Sequence, residues 1–266
     1  MNFKIWRDLL LLATIGAALF AGGYYLVKRL DVGSINFNSS LSVENEEKLG
    51  ELFKDLLIKK YKAIEGTAAD SALQVIAERL LNSVDSSKYD YHFTLIKSDD
   101  INAFTIPGGN IYVFSGLIKF CKTPEELAAV LAHEIGHAEK RHVVQKLAEQ
   151  LSMATVLTVL SGGDPSLVAK ILQEIIGNSF GREQETEADD FALALMEKAG
   201  IDPISLALFF KRLNDEELSY NKNLELIMTH PHNDKRIDKA RRYKKKAGFA
   251  AKPFELDWAK SQKSVE

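Results

Sequence analysis

Two histidines four residues apart with a glutamate between them, His133-Glu134-Ile135-Gly136-His137, constrain this chain more than any other feature. The segment that carries them has the signals of one continuous helix: Thr123 as cap, Pro124 as first helical residue and Glu126 as the capping-box partner three residues on. At 100° per residue, positions four apart lie about 40° from each other on one face, so both imidazoles can converge on one ion with Glu134 beside them. That is the geometry of a zinc hydrolase. A third protein ligand must then arrive from elsewhere, leaving one position open for water. The chain has a single cysteine, Cys121, so the metal must be held by histidines and carboxylates, and neither an internal disulfide nor a cysteine-rich zinc module can form.

Metzincin spacing is excluded, because Lys140 and Val143 stand where a glycine and a third histidine would be needed. A downstream helix, read over residues 182–198 and ended by Gly200, offers Glu185 and Asp189 on one face and Glu183 and Glu187 on another. Spacing alone leaves Glu185 and Glu187 both open as the third ligand. His142, five residues beyond His137, faces away from it on a continuous helix and reads as a packing or hydrogen-bonding residue. His92 and His232 read as structural or exposed.

The remaining pattern predicts an α+β, mainly α fold. Helices are expected over residues 43–64 and 68–84. Alternating aromatic and β-branched residues at 89–96, 103–106 and 111–114 predict a small antiparallel meander with a turn at Pro107-Gly108-Gly109-Asn110. Further helices are expected over 151–160, over 166–176 with Asp164 as cap, over 203–218, and in a basic tail from residue 233. The segment 147–176 is a candidate cover for the cleft.

His133 to His142 (HEIGHAEKRH), the run Arg182-Glu183-Gln184-Glu185-Thr186-Glu187-Ala188-Asp189, Thr229-His230-Pro231 and the strand leading through Asn102 to Gly109 together resemble the metallopeptidases of the HtpX, BepA and CAAX prenyl protease type. The resemblance covers roughly residues 89–243. It implies a zincin-like domain with one Zn2+ per chain held by His133, His137 and Glu185, and with Asp189 orienting a ligand histidine. It also implies that His230 and Arg236 belong to the active site. His230 would stabilise the oxyanion or ligate zinc in a resting state, and Arg236 would hold a carboxylate or the oxyanion.

The expected activity is zinc-dependent endopeptidase. Zinc makes its water acidic and polarises the scissile carbonyl, while Glu134 takes the proton and returns it to the leaving amine. Substrate is expected as an added strand along an exposed edge at Asn110, Ile111, Tyr112 and Val113. The alternative is a membrane-anchored, non-catalytic chaperone or scaffold in which His230 permanently closes a structural zinc site.

Residues 9–27 form an uncharged run of 19, with Lys4 and Arg7 before it and Lys28 and Arg29 after it. This predicts one N-terminal transmembrane or signal helix in residues 1–30, followed by a metallopeptidase domain over 31–266. The expected location is the membrane, with the catalytic domain outside the cytoplasm in the envelope, or secreted if the segment is cleaved. One span is too few for an intramembrane chamber, so a prenyl-protein substrate is not carried over. Expected partners are unfolded or misfolded envelope polypeptides and the membrane. A net charge of −3, from 34 Lys+Arg against 37 Asp+Glu, gives no basic field for nucleic acid.

Overall fold

The computed structural model describes residue 14 and residues 41–151, 153–162, 164–218, 226, 229–230 and 234–266. The chain divides into Met1–Ser40 and Leu41–Glu266. Apart from residue 14, the expected membrane segment lies outside the described residues, as do most of the linker after it, Pro231, His232 and the first residue of the basic tail. Among the described residues, no helix is long and apolar enough to cross a membrane.

The folded unit opens with α1 (Val43–Lys60) and α2 (Ala68–Leu81), whose first turns are closed by Ser42 accepting from the Asn45 N–H and Thr67 accepting from the Asp70 N–H. Both end three or four residues short of the expected boundary. Beyond α1, Ala63 makes an antiparallel bridge to Ile96 instead of extending the helix.

Three strands follow, β1 (His92–Ile96), β2 (Ala103–Ile106) and β3 (Asn110–Phe114). Gly108 and Gly109 both adopt positive φ, 79° and 76°, and this tight turn folds β3 back antiparallel to β2. The sheet order is β1-β3-β2, with β3 running parallel to β1 from His92↔Asn110 to Ile96↔Phe114. The sheet is therefore mixed, and the expected antiparallel meander is corrected. Residues 97–102 carry the chain past the place beside β1 that β3 then fills, so β1 and β2 are not neighbours.

The same order overturns the expected substrate strand. Asn110, Ile111, Tyr112 and Val113 lie in the central strand, paired on both sides and buried throughout, so no backbone edge is left there for a peptide. The strand bordering the helix with the two histidines is β2.

After α3 (Ser115–Phe120) comes α4 (Pro124–Glu139), buried on almost every side because the sheet, α2 and the later helices all pack on it. Its start departs from the expected capping box. Thr123 makes no side-chain cap, and Glu126 instead accepts from the Lys122 N–H at 2.8 Å and pairs with Arg212. Arg141, in the left-handed conformation at φ 58°, breaks the helix and starts α5 (His142–Gln150). α6 (Met153–Leu160) and α7 (Pro165–Gly177, capped by Asp164) pack against α1.

α8 (Arg182–Lys198) has the predicted bounds and begins with Gln184 accepting from the Gly181 N–H at 2.9 Å. α9 (Ile204–Leu218), α10 (Asp234–Arg241) and α11 (Trp258–Lys263) complete the described elements. Leu127, Leu131 and Ile135 of α4 join Leu193 and Met196 of α8 and Phe209 of α9 in one apolar core, all at most 1% exposed. Burial on that scale holds α4 and α8 in a fixed relation, which the polar groups between them require.

Candidate metal centre

α4 turns His133, Glu134 and His137 into a buried space, and α8 meets it with Glu185 and Asp189. The helix faces alone left Glu185 and Glu187 open; the packing turns Glu185 inward. His133 Nε2 and His137 Nε2 stand 3.0 Å apart, and each lies 3.4 Å from a Glu185 oxygen. His230 Nδ1 is 3.3 Å from His133 Nε2 and 2.9 Å from Glu185 Oε1. His133, His137, Glu185 and His230 thus offer four buried ligand atoms, all within 4.8 Å of one another.

These atoms fit a metal ion. Ligands at about 2.0–2.2 Å from a tetrahedral zinc are separated by roughly 3.3–3.6 Å, close to the spacings found. The donor chemistry gives the same answer. His133 Nδ1 lies 3.0 Å from Asp189 Oδ1, an ion-pair contact that favours a proton on Nδ1 and so a lone pair on Nε2, facing the Nε2 of His137. Two such lone pairs need a cation between them. In the metal-free chain a proton serves: burial pulls the His133 pKa down, but Asp189 and Glu185 outweigh it and raise it to about 9. Burial keeps His137 well below its ordinary value.

Glu185 is held as a carboxylate. Burial would raise its pKa, but the charge of His230 and hydrogen bonds from His133, His137 and His230 push it far below the usual range. Asp189 behaves likewise: burial is outweighed by Arg236 and His133. Arg236 Nε and Nη2 donate to the two Asp189 oxygens at 2.7 and 2.8 Å, and Nη1 lies 2.7 Å from Glu185 Oε2. Of the two roles expected for Arg236, the contacts are those of holding carboxylates.

Glu134 is fully buried. Its Oε2 accepts from Thr105 Oγ1 of β2 at 2.8 Å, and its Oε1 has no hydrogen-bond partner among the described residues. Oε1 stands 3.4 Å from His230 Nε2, on the side of the fourth ligand atom.

Three residues here escaped sequence reasoning. Thr105 positions Glu134 through a sheet–helix contact that no local pattern encodes. Phe180 stacks on His137, centroids 4.0 Å apart and rings inclined 26°, and its N–H donates to Thr229 O, beside His230. His142, expected to face away from His137, touches it: the two Nδ1 atoms are 3.0 Å apart. The five-residue spacing misleads because the left-handed Arg141 interrupts the helix. Glu187 meets His142 Nε2 at 3.2 Å.

A family model described as "Peptidase family M48" matches residues 67–244, about two thirds of the chain. The beta-barrel assembly-enhancing protease of Yersinia pestis is 30% identical over 258 residues, covering 91% of this chain and 52% of that protein. The protein of the same name from Escherichia coli K12 is 28% identical over 224 residues, covering 79% and 46%. The mitochondrial metalloendopeptidase OMA1 of Schizosaccharomyces pombe is 28% identical over 241 residues, covering 85% and 70%. The chain spans about half the length of the bacterial relatives. The resemblance read from the motifs on α4 and α8 is borne out: the chain belongs to peptidase family M48.

Proposed function

We propose that the chain is a zinc-dependent endopeptidase in which His133, His137 and Glu185 hold one Zn2+ and Glu134 is the general base. The observation that carries the reading is the cluster of buried ligand atoms with Glu134 Oε1 beside it, without a hydrogen-bond partner among the described residues. A bound zinc supplies Lewis acidity, making a water at the site acidic and polarising the scissile carbonyl. Glu134 takes a proton on Oε1 and delivers it to the leaving amine, while Thr105 holds the other oxygen still. Asp189 fixes the His133 ring, and Arg236 fixes Asp189 and Glu185 together.

With His230 Nδ1 3.3 Å from His133 Nε2 and 2.9 Å from Glu185 Oε1, His230 would close the fourth ligand position in a resting state. When His230 withdraws, substrate and water gain that position, and the imidazole can then donate to negative charge developing on the carbonyl oxygen. A peptide lying along β2, next to Thr105, would bring its scissile bond to Glu134. Backbone-directed binding favours unfolded segments, which agrees with misfolded envelope proteins as substrates. Residues 9–27 would anchor the domain of residues 31–266 to the membrane, outside the cytoplasm.

The same fourth-position contact favours one other reading, a zinc-holding scaffold that His230 keeps closed. Zinc content and casein cleavage of the wild type, Glu134→Gln, Glu185→Ala and His230→Ala separate the two. A peptidase holds about one zinc per chain. Glu134→Gln then abolishes cleavage with zinc retained, and Glu185→Ala loses both. Stoichiometric zinc with no cleavage by the wild type favours the scaffold, and cleavage gained in His230→Ala returns the reading to a peptidase that His230 holds closed.

A further inference from the structure

We infer that His142 and Glu187 form a hydrogen-bonded relay that orients and strengthens His137 as a metal ligand, making His142 a positioning residue of the site. The inference rests on the metal centre proposed above.

Once His137 Nε2 faces the metal with its lone pair, the rest of the chain of contacts has a single assignment. The neutral His137 ring must carry its proton on Nδ1, and the atom 3.0 Å away is His142 Nδ1. His142 Nδ1 must therefore accept, which puts the His142 proton on Nε2. That atom stands 3.2 Å from Glu187 Oε2, an oxygen that can only accept when ionised. Each contact has a donor and an acceptor, and the relay ends on a carboxylate.

His133 has the equivalent support without an intermediary, its Nδ1 lying 3.0 Å from Asp189. The two ligand histidines are thus both backed by acids of α8, one directly and one through a second imidazole. A carboxylate behind a ligand histidine fixes its tautomer and ring plane and raises its basicity toward the metal. His142 has no exposed surface, whereas the Glu187 side chain is 48% exposed. The relay therefore ends where the helix meets solvent.

The backbone is built for this contact. On an uninterrupted helix, position 142 would lie about 140° around the axis from position 137. Arg141 at φ 58° and ψ 32° turns the chain so that α5 starts with His142 against His137. That left-handed residue is held in place: Arg141 Nε donates to Glu46 Oε1 at 2.8 Å, and a second nitrogen bonds the Leu41 carbonyl. Tyr89 donates to the other Glu46 oxygen at 2.5 Å, and Glu46 is buried. A non-glycine residue is strained in the left-handed conformation, and here that conformation places the His142 imidazole.

The test is zinc affinity of the full chain, measured by competition with a chromogenic chelator, for the wild type, His142→Ala, His142→Asn, Glu187→Ala and the His142→Ala/Glu187→Ala double variant. The expected loss is about 10–100-fold for His142→Ala. His142→Asn, whose amide oxygen takes the place of Nδ1 as acceptor, recovers part of that loss. Glu187→Ala weakens zinc by several-fold in the wild-type background and by nothing further once His142 is alanine. Because Glu187 is on the surface, its effect appears without a change in the metal-free melting temperature. Wild-type affinity in both His142→Ala and Glu187→Ala, equal Glu187→Ala effects in both backgrounds, or an asparagine variant no better than alanine would each overturn the relay. A wild type that holds zinc no better than His133→Ala overturns the metal centre itself, and the relay with it.

Discussion

Arg236 grips Asp189 through both oxygens, at 2.7 and 2.8 Å, and with its remaining nitrogen lies 2.7 Å from Glu185. One guanidinium from α10 thereby locks two carboxylates on successive turns of α8, and through Asp189 the orientation of His133. Planar, forked donors are needed for this, which a lysine does not provide. Burial of three charged groups is tolerated because each is paired, and the arrangement keeps both acids ionised for the metal.

Arg236→Met should therefore weaken the protein before any substrate is present. Removing one partner of a buried pair leaves the other uncompensated and costs about 3–5 kcal/mol. Urea unfolding of the chelator-treated chain measures this, and zinc competition should show a parallel loss of about tenfold or more. An Arg236 that served only to bind substrate would leave both quantities at their wild-type values.

Thr105→Val tests how the base is held. The substitution keeps the β-branched shape in β2 but removes the hydroxyl that donates to Glu134 Oε2 at 2.8 Å. Zinc content should stay at the wild-type level while kcat falls about tenfold, the effect of a loosened general base. Unchanged turnover would mean that Glu134 needs no support from the sheet.

The helical part of this architecture was legible because its signals are local. The period of 3.6 residues put His133 and His137 on one face and paired Glu185 with Asp189, and the bounds of α8 agree with the reading residue for residue. What stayed hidden depends on long-range order. Residues 110–114 have strand chemistry whether central or at an edge, and only the path of residues 97–102 decides that β3 lies between its neighbours. His142 was misplaced because helical geometry was extended through Arg141, whose left-handed conformation is stabilised by Glu46, 95 residues earlier. Thr105 and Phe180 reach the site through tertiary contacts alone.

Lys146 gives a pH signature. Its ammonium is buried under α7, donating to Ile175 O at 2.8 Å and to Asn178 O, and it stands 4.4 Å over the Phe180 ring that covers His137. Burial pushes its pKa down to about 8 from 10.5. Below pH 8 folded and unfolded chains both carry the proton, and the full cost of burying the charge is present. Between pH 8 and 10.5 the unfolded chain binds more protons than the folded one, so this residue's contribution to stability rises with pH. The unfolding free energy of the chelator-treated wild type, minus that of Lys146→Met, should move in favour of the wild type by about 3 kcal/mol from pH 7 to 10.5. A flat or falling difference would contradict it.

Gly136, inside the histidine motif, sets how closely α4 approaches α8. A β-carbon there would stand 3.0 Å from the Ala188 carbonyl oxygen and 3.1 Å from Ala188 Cα. Both are backbone atoms, so the whole of α8 must retreat by a few tenths of an ångström, carrying Glu185 and Asp189 away from His133 and His137. Alanine gains about 1 kcal/mol in helix propensity, but overpacking costs typically 1–3 kcal/mol, and the Arg236 clamp resists the shift. Strain should win: Gly136→Ala lowers the metal-free melting temperature and weakens zinc several-fold, as calorimetry and chelator competition would show. A variant that melts higher and holds zinc as tightly as the wild type would mean that α8 yields freely and that the two helices have no need of this close approach.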